Sequence, residues 1–171
     1  MSEISATHVL LDGFDRVRQA VAGVLEDLST DQLSHRVGGS ANSIAWLVWH
    51  LTRVQDDHVA AVAGHEQVWT RDGWHERFGL PFDADDTGYG HTSEQVALVR
   101  GIGAEDLVGY LEAVHAATVE FVRPLTSDDL GRVVDERWDP PVTLGVRLVS
   151  VVNDDQQHVG QAAFIRGLLQ R

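Results

Sequence analysis

Leu11, Phe14, Val17, Val21, Val24, Leu25 and Leu28 recur at intervals of three and four. That spacing places side chains on one face of an α-helix and predicts an amphipathic helix from about residue 5 to 28. The polar run "STDQ" is expected to end it. "GGSANS" then supplies turn residues and N-cap candidates for a second helix from about Asn42 to Ala63, stopped at Gly64. The first half of this helix is apolar nearly all round, as suits a central helix. From His65 to His91 no clean period appears, yet Trp69, Trp74, Phe78 and Phe82 all need burial, so a long ordered aromatic loop is expected between the second and third long helices. Thr92 and Gln95 fit a capping box for a short helix. A third long helix is expected from about Ala104 to Val122, ending near Pro124, with one further turn at "SDDL". "RWDPP" reads as a turn, and a fourth helix follows from about Thr143 to Leu169.

No segment alternates over strand length. The four long stretches therefore predict an all-α fold, a four-helix bundle formed by residues 1–171 as a single domain. Bundles place metal and ligand sites among side chains from facing helices, which directs attention to polar residues inside the apolar stretches.

Composition narrows the chemistry. The chain has 171 residues, enough for a substantial core, and no cysteine, which excludes disulfides, thiolate ligands and a cysteine nucleophile. Any thiol chemistry would need an external thiol. The formal charge is −13, with acids spread along the chain, so neither nucleic acid nor an anionic membrane surface is an expected partner. No apolar run approaches the ~20 residues that span a bilayer, and the N-terminus has no basic leader before an apolar core, so a cytoplasmic protein is expected.

The segment "NDDQQHVGQ", residues 153–161, sits in the fourth helix among Val149, Val151, Val152, Val159, Ala162, Ala163 and Ile165. Asp154 and His158 are four residues apart and share a helix face, about one turn from each other. Taken alone, this spacing also fits a solvated polar face. A packed helix changes the balance, because a buried carboxylate without a partner is costly. His50, which interrupts "IAWLVWHL", is the candidate third ligand; alone it would read as a core histidine with a hydrogen-bond partner. Asp155 is rotated by about 100° from Asp154 and is the weaker ligand candidate.

The pieces "SIAWLVWHL" and "DDQQHVGQAAFIRG", together with the order of the four helices, resemble the DinB/YfiT-like superfamily. The closer resemblance is to its actinobacterial mycothiol-dependent branch of maleylpyruvate isomerases and thiol S-transferase-like proteins. The resemblance implies a DinB-like bundle holding one divalent metal, zinc or nickel, through a histidine of the second helix and a His-x-x-x-His pair of the fourth. By position these are His50, Asp154 and His158. Asp154 departs from the pattern; a carboxylate is still a sound ligand, but its charge lowers the Lewis acidity of the metal. Three protein ligands leave a position open, as in catalytic sites. The implied nucleophile is the thiol of a cofactor such as mycothiol, acting on an electrophilic small molecule, with homodimerisation as a further expectation.

Other residues are candidates for the surroundings of the metal or for substrate contact. Asp57 stands two turns beyond His50, while Arg147 and Gln161 lie seven residues before and after Asp154. Trp69 and Trp74 would cap the mouth of the bundle and shape a pocket, or else pack as core. His65, His75 and His91 are too irregularly spaced to make a strong second cluster, and His8, His35, His58 and His115 fit no constellation. A metal-dependent hydrolase using bound water and a stress-related metal- or ligand-binding protein without turnover are the alternative functions. A requirement for added thiol separates the first from a transferase, and a site saturated by protein ligands would mark the second.

Overall fold

The computed structural model describes residues 5–170. Helix α1 runs over Ala6–Leu25 and α2 over Thr30–Ser34, with a 3-10 turn at Val37–Gly39. Helix α3 is Ile44–Ala63, α4 Val68–Arg71, α5 Trp74–Phe78, α6 Ser93–Val96, α7 Ala104–Val122 and α8 Ser127–Gly131. Strands β1, Val133–Asp135, and β2, Val142–Thr143, precede α9, Leu144–Leu169.

Local chemistry sets these boundaries. Ser5 caps α1 in a reciprocal capping box with His8, and α1 ends at Leu25 rather than near residue 28. "STDQ" does not simply stop it: Ser29 and Gln32 form the capping box that opens α2. Helix α3 begins on Ser43, whose hydroxyl accepts from the Trp46 amide, and closes on Gly64 in the left-handed conformation at φ 75°. Thr143 caps α9 in the same way as Ser43 caps α3, through the Val146 amide.

The four long helices dominate the packing. Helix α3 lies against α9 and α7, and α1 lies against the same two. Each long helix therefore has two long neighbours. Helix α3 is buried over most of its circumference, from Ile44 through Leu51 and on to Val59 and Ala60, and forms the centre of the core with Trp49, Leu47, Tyr110 and Leu111. Burying an aliphatic or aromatic side chain of this size contributes roughly 1.5–3 kcal/mol, so this face alone anchors the arrangement. Among the described residues no helix is long and apolar enough to cross a membrane.

Two regions differ from the sequence expectation. The aromatic segment after Gly64 carries the short helices α4 and α5 rather than loop alone, because Trp69 and Phe78 are drawn into the core around Tyr110. The "RWDPP" turn joins β1 and β2, a small antiparallel hairpin pairing Val133 with Thr143 and Asp135 with Val142. Two strands this short leave no alternation to detect.

Polar residues buried on α3 hold both α4 and the segment that follows α5. The Arg53 guanidinium donates to the carbonyls of Ala84 and Asp86, to Gln67 Oε1 at 2.7 Å and to the Tyr110 hydroxyl, and it stacks over the Trp69 ring. Asp56 accepts from the Val68 and Trp69 amides at 2.9 and 2.8 Å, and from the Tyr110 hydroxyl at 2.8 Å. A charged pair in the interior thus ties α4 and the 84–86 strap to the central helix.

Candidate metal centre

His50, Asp154 and His158 come together where α3 faces α9, each offering a ligand atom within 4.8 Å of the other two. His50 is buried, while Asp154 and His158 are half-buried. Helical phase brings the latter pair together, with His158 Nε2 lying 3.6 Å from Asp154 Oδ1. The His50 and His158 rings meet edge to face with centroids 4.7 Å apart, and Trp46 stacks on the His50 ring at 4.6 Å.

The tautomer of His50 follows from its partner. Its Nδ1 lies 2.5 Å from the Thr87 carbonyl, which can only accept, so Nδ1 carries the hydrogen and Nε2 keeps its lone pair. This carbonyl-to-imidazole contact is the arrangement that fixes metal-ligating histidines. Burial also pushes the His50 pKa below its usual value, which keeps the ring neutral. The neighbouring His158 holds the Asp154 carboxyl below the usual range, so it is ionised. Asp154 Oδ2 and His158 Nδ1 are buried without a hydrogen-bond partner, which is costly unless something else engages them. Two imidazoles and a carboxylate, with polar atoms left over, fit a divalent cation.

A cavity of about 420 Å³ opens beside the three residues and is lined by His50, Val54, Asp57, His58, Arg147 and Asp154, among others. Asp57 and Arg147 are thus on its wall. Gln161 is not: it is exposed beside Phe164 and Leu168 in a separate apolar groove. It shares the helical phase of Asp154 but lies about 10 Å further along the axis. Trp69 and Trp74 do not line the cavity either. Trp69 packs against Arg53, Phe78 and Tyr110, and Trp74 against Phe78 and Tyr110. Asp155 is wholly buried with neither carboxylate oxygen hydrogen bonded, and burial pushes its pKa well up.

The histidines of the aromatic segment have separate partners. His91 takes the Trp46 indole hydrogen on Nδ1 and donates Nε2–H to Asp86, and His75 Nε2 contacts the Phe82 carbonyl. His65 is exposed beside the Glu66 carbonyl. Among the described residues only His50, Asp154 and His158 form a ligand cluster. Sequence reasoning missed Thr87, whose contribution is a backbone carbonyl, and His58, which lines the cavity with Arg147 Nη1 3.2 Å from its Nδ1. The signal for His58 was its position two turns beyond His50.

The fold and the site define a DinB-like all-α protein with a histidine–carboxylate cluster at the wall of an interhelical cavity. The chain belongs to the mycothiol-S-transferase family, whose profile matches residues 9–171. Among solved structures it is similar to a conserved protein from Enterococcus faecalis, with 30% sequence identity, 96% of each chain covered and a TM-score of 0.88. No curated protein matches the sequence.

Proposed function

We propose that the chain is a metal-dependent thiol S-transferase, a single-domain four-helix bundle of α1, α3, α7 and α9 whose catalytic cavity lies between α3, α9 and the segment carrying Thr87 and Tyr89. His50, Asp154 and His158 would hold the divalent cation, zinc or nickel. The carrying observation is the convergence of these three donors, with the His50 lone pair freed by the Thr87 carbonyl and with His50 and Asp154 on the wall of a cavity. A bound divalent cation lowers the pKa of a thiol so that thiolate forms near neutral pH.

The chain's own residues supply position and environment. His50 enters as a neutral imidazole, and Trp46 stacked on its face excludes water from that side. Asp154 adds a negative charge that balances the cation. Because the chain has no cysteine, the nucleophilic thiol comes from a cofactor, and the family points to mycothiol. Its sulfur forms a bond to an electrophilic carbon while the leaving group departs with the bonding pair, and the thiol proton leaves to solvent. The cavity, of the size that takes a small organic molecule, confines both reactants.

Metal content by elemental analysis tests this reading directly. Wild type purified without added metal should carry close to one equivalent, and His158→Ala should carry almost none. Metal-loaded wild type should turn over only with added thiol. Turnover with water alone would replace the transferase by a hydrolase.

A further inference from the structure

Asp135, Arg147 and His58 form a chain of contacts leading from the hairpin into the cavity. Arg147 Nη2 donates to Asp135 Oδ2 at 3.0 Å, and Nη1 lies 3.2 Å from His58 Nδ1. A guanidinium can only donate, so His58 Nδ1 must accept and the ring hydrogen must sit on Nε2. That nitrogen has no hydrogen-bond partner among the described residues, and the side chain is 38% exposed. Protonation of Nδ1 would set a second cation against Arg147, so the arrangement also keeps the ring neutral.

His58 is eight residues from His50 on α3, about 12 Å along the axis, and Arg147 precedes Asp154 by a similar length of α9. The pair therefore lines the cavity about two turns along α3 and α9 from His50 and Asp154, where the cavity meets a second one. Asp57, His58 and Arg147 also line an adjoining cavity of about 700 Å³. The charged groups on that second wall are Asp57, Asp135 and Glu136 against Arg132, Arg137 and Arg147, so it carries no net charge. The Arg147 guanidinium is already engaged by Asp135 and His58, and Asp57, 4.0 Å from the His58 ring, disfavours an anion there.

The geometry points to His58 as a fixed hydrogen-bond donor that recognises an uncharged oxygen on the polar tail of the thiol, at the end remote from the sulfur. The proposal rests on the thiol-transferase reading and deepens it by separating two regions. The reacting sulfur and electrophile belong beside His50, Asp154 and His158. The uncharged, hydroxyl- or carbonyl-bearing tail belongs beyond the His58–Arg147 pair. The burial that lowers the His58 pKa is consistent with a neutral donor. The charged groups that bear on it are Asp57 from its own helix, Arg147 and Asp154 from α9, and, through Arg147, Asp135 of β1.

Two measurements on the full-length, metal-loaded protein test it. Nitrogen-15 NMR of the His58 ring at neutral pH should show the Nε2–H form, and mycothiol added alone should shift that Nε2 signal. In kinetics with mycothiol and monochlorobimane, His58→Asn keeps an amide on the Nδ1 side only and should raise the KM for mycothiol about tenfold with kcat little changed. His58→Gln places an amide N–H near Nε2 and should recover most of that loss. A ring protonated on Nδ1, an unmoved Nε2 signal on binding, or an unchanged KM in His58→Asn overturns the inference. Mycothiol binding that shifts His58 without any transfer would instead sink the transferase reading and leave the donor role standing.

Discussion

His50 and Thr87, 37 residues apart in sequence, are joined by a hydrogen bond from the imidazole Nδ1 to the main-chain carbonyl. The contact decides which histidine nitrogen faces Asp154 and His158. It also makes the central helix depend on a strap that the sequence presents only as an aperiodic run of Gly, Asp and Thr. Arg53, one turn beyond His50, fixes the same strap by donating to the Ala84 and Asp86 carbonyls. The candidate centre is therefore supported from outside the helix pair that carries His50, Asp154 and His158.

Gly88 is where this support is most exposed to substitution. Its φ is +87°, and a Cβ there would lie 2.8 Å from Trp49 Cζ3 and 3.0 Å from His50 Nδ1. Gly88→Ala should cost about 1–3 kcal/mol through the strained backbone and displace the strap from His50. Metal affinity should fall about tenfold or more, as when the partner of a ligating histidine is lost. Competition with a chromophoric chelator, beside a urea melt, measures both; unchanged affinity in a destabilised variant would show that the strap does not orient His50.

The Arg53–Asp56 pair gives a prediction about stability. Asp56→Ala removes the acceptor of two α4 amides and of the Tyr110 hydroxyl, and strips Arg53 of its carboxylate partner 3.7 Å away. Both side chains are almost fully buried, so the loss should be about 3–5 kcal/mol. The urea midpoint should drop accordingly. A loss below about 1 kcal/mol would mean that water reaches the exposed partners and that α4 is not anchored here.

The long helices were legible because hydrophobic period and capping residues agree: the third and fourth were placed to within a residue or so of α7 and α9. Asp154 and His158 were readable as a pair because a helix imposes their proximity. His50 needed the further argument that an imidazole in an apolar stretch must have a partner. What the sequence could not show is tertiary or carried by backbone: the Thr87 carbonyl, the hairpin of two very short strands, and the Arg147–His58 contact across 89 positions. Trp69 and Trp74 show the converse error. Their need for burial was real, but it is met by the core around Tyr110, and nothing in their spacing distinguishes that from a pocket wall.

The adjacent aspartates of α9 should behave oppositely. Asp154→Ala should abolish metal retention. Asp155 sits on the core stripe with Leu148, Val151 and Ala162, without a hydrogen bond to either oxygen. Asp155→Leu should therefore leave metal content intact and raise stability by about 1–3 kcal/mol, since an unsatisfied buried polar group is replaced by an apolar one of similar size. Metal lost from Asp155→Leu and kept by Asp154→Ala would transfer the ligand role to the second aspartate.

Asp135 supplies the pH dependence. Its hydrogen bonds to Arg137, with a further one from Arg147, hold its carboxyl far below the usual carboxylate range. A carboxyl whose folded pKa is depressed contributes stability above its unfolded pKa of about 3.9, and that contribution is lost as the pH falls from there toward the folded value. Asp135→Asn should accordingly melt at a lower temperature than wild type at neutral pH, with the gap narrowing as the pH is taken below about 4. The same substitution removes the partner that holds Arg147 against His58, so the His58 ring should lose its single tautomer in the variant. Thermal melts across the acid range, read beside the His58 nitrogen signals, follow both effects. A gap that stayed constant with pH would mean that the ion pairs with Arg137 and Arg147 add nothing to stability, leaving Asp135 as a packing residue of the hairpin.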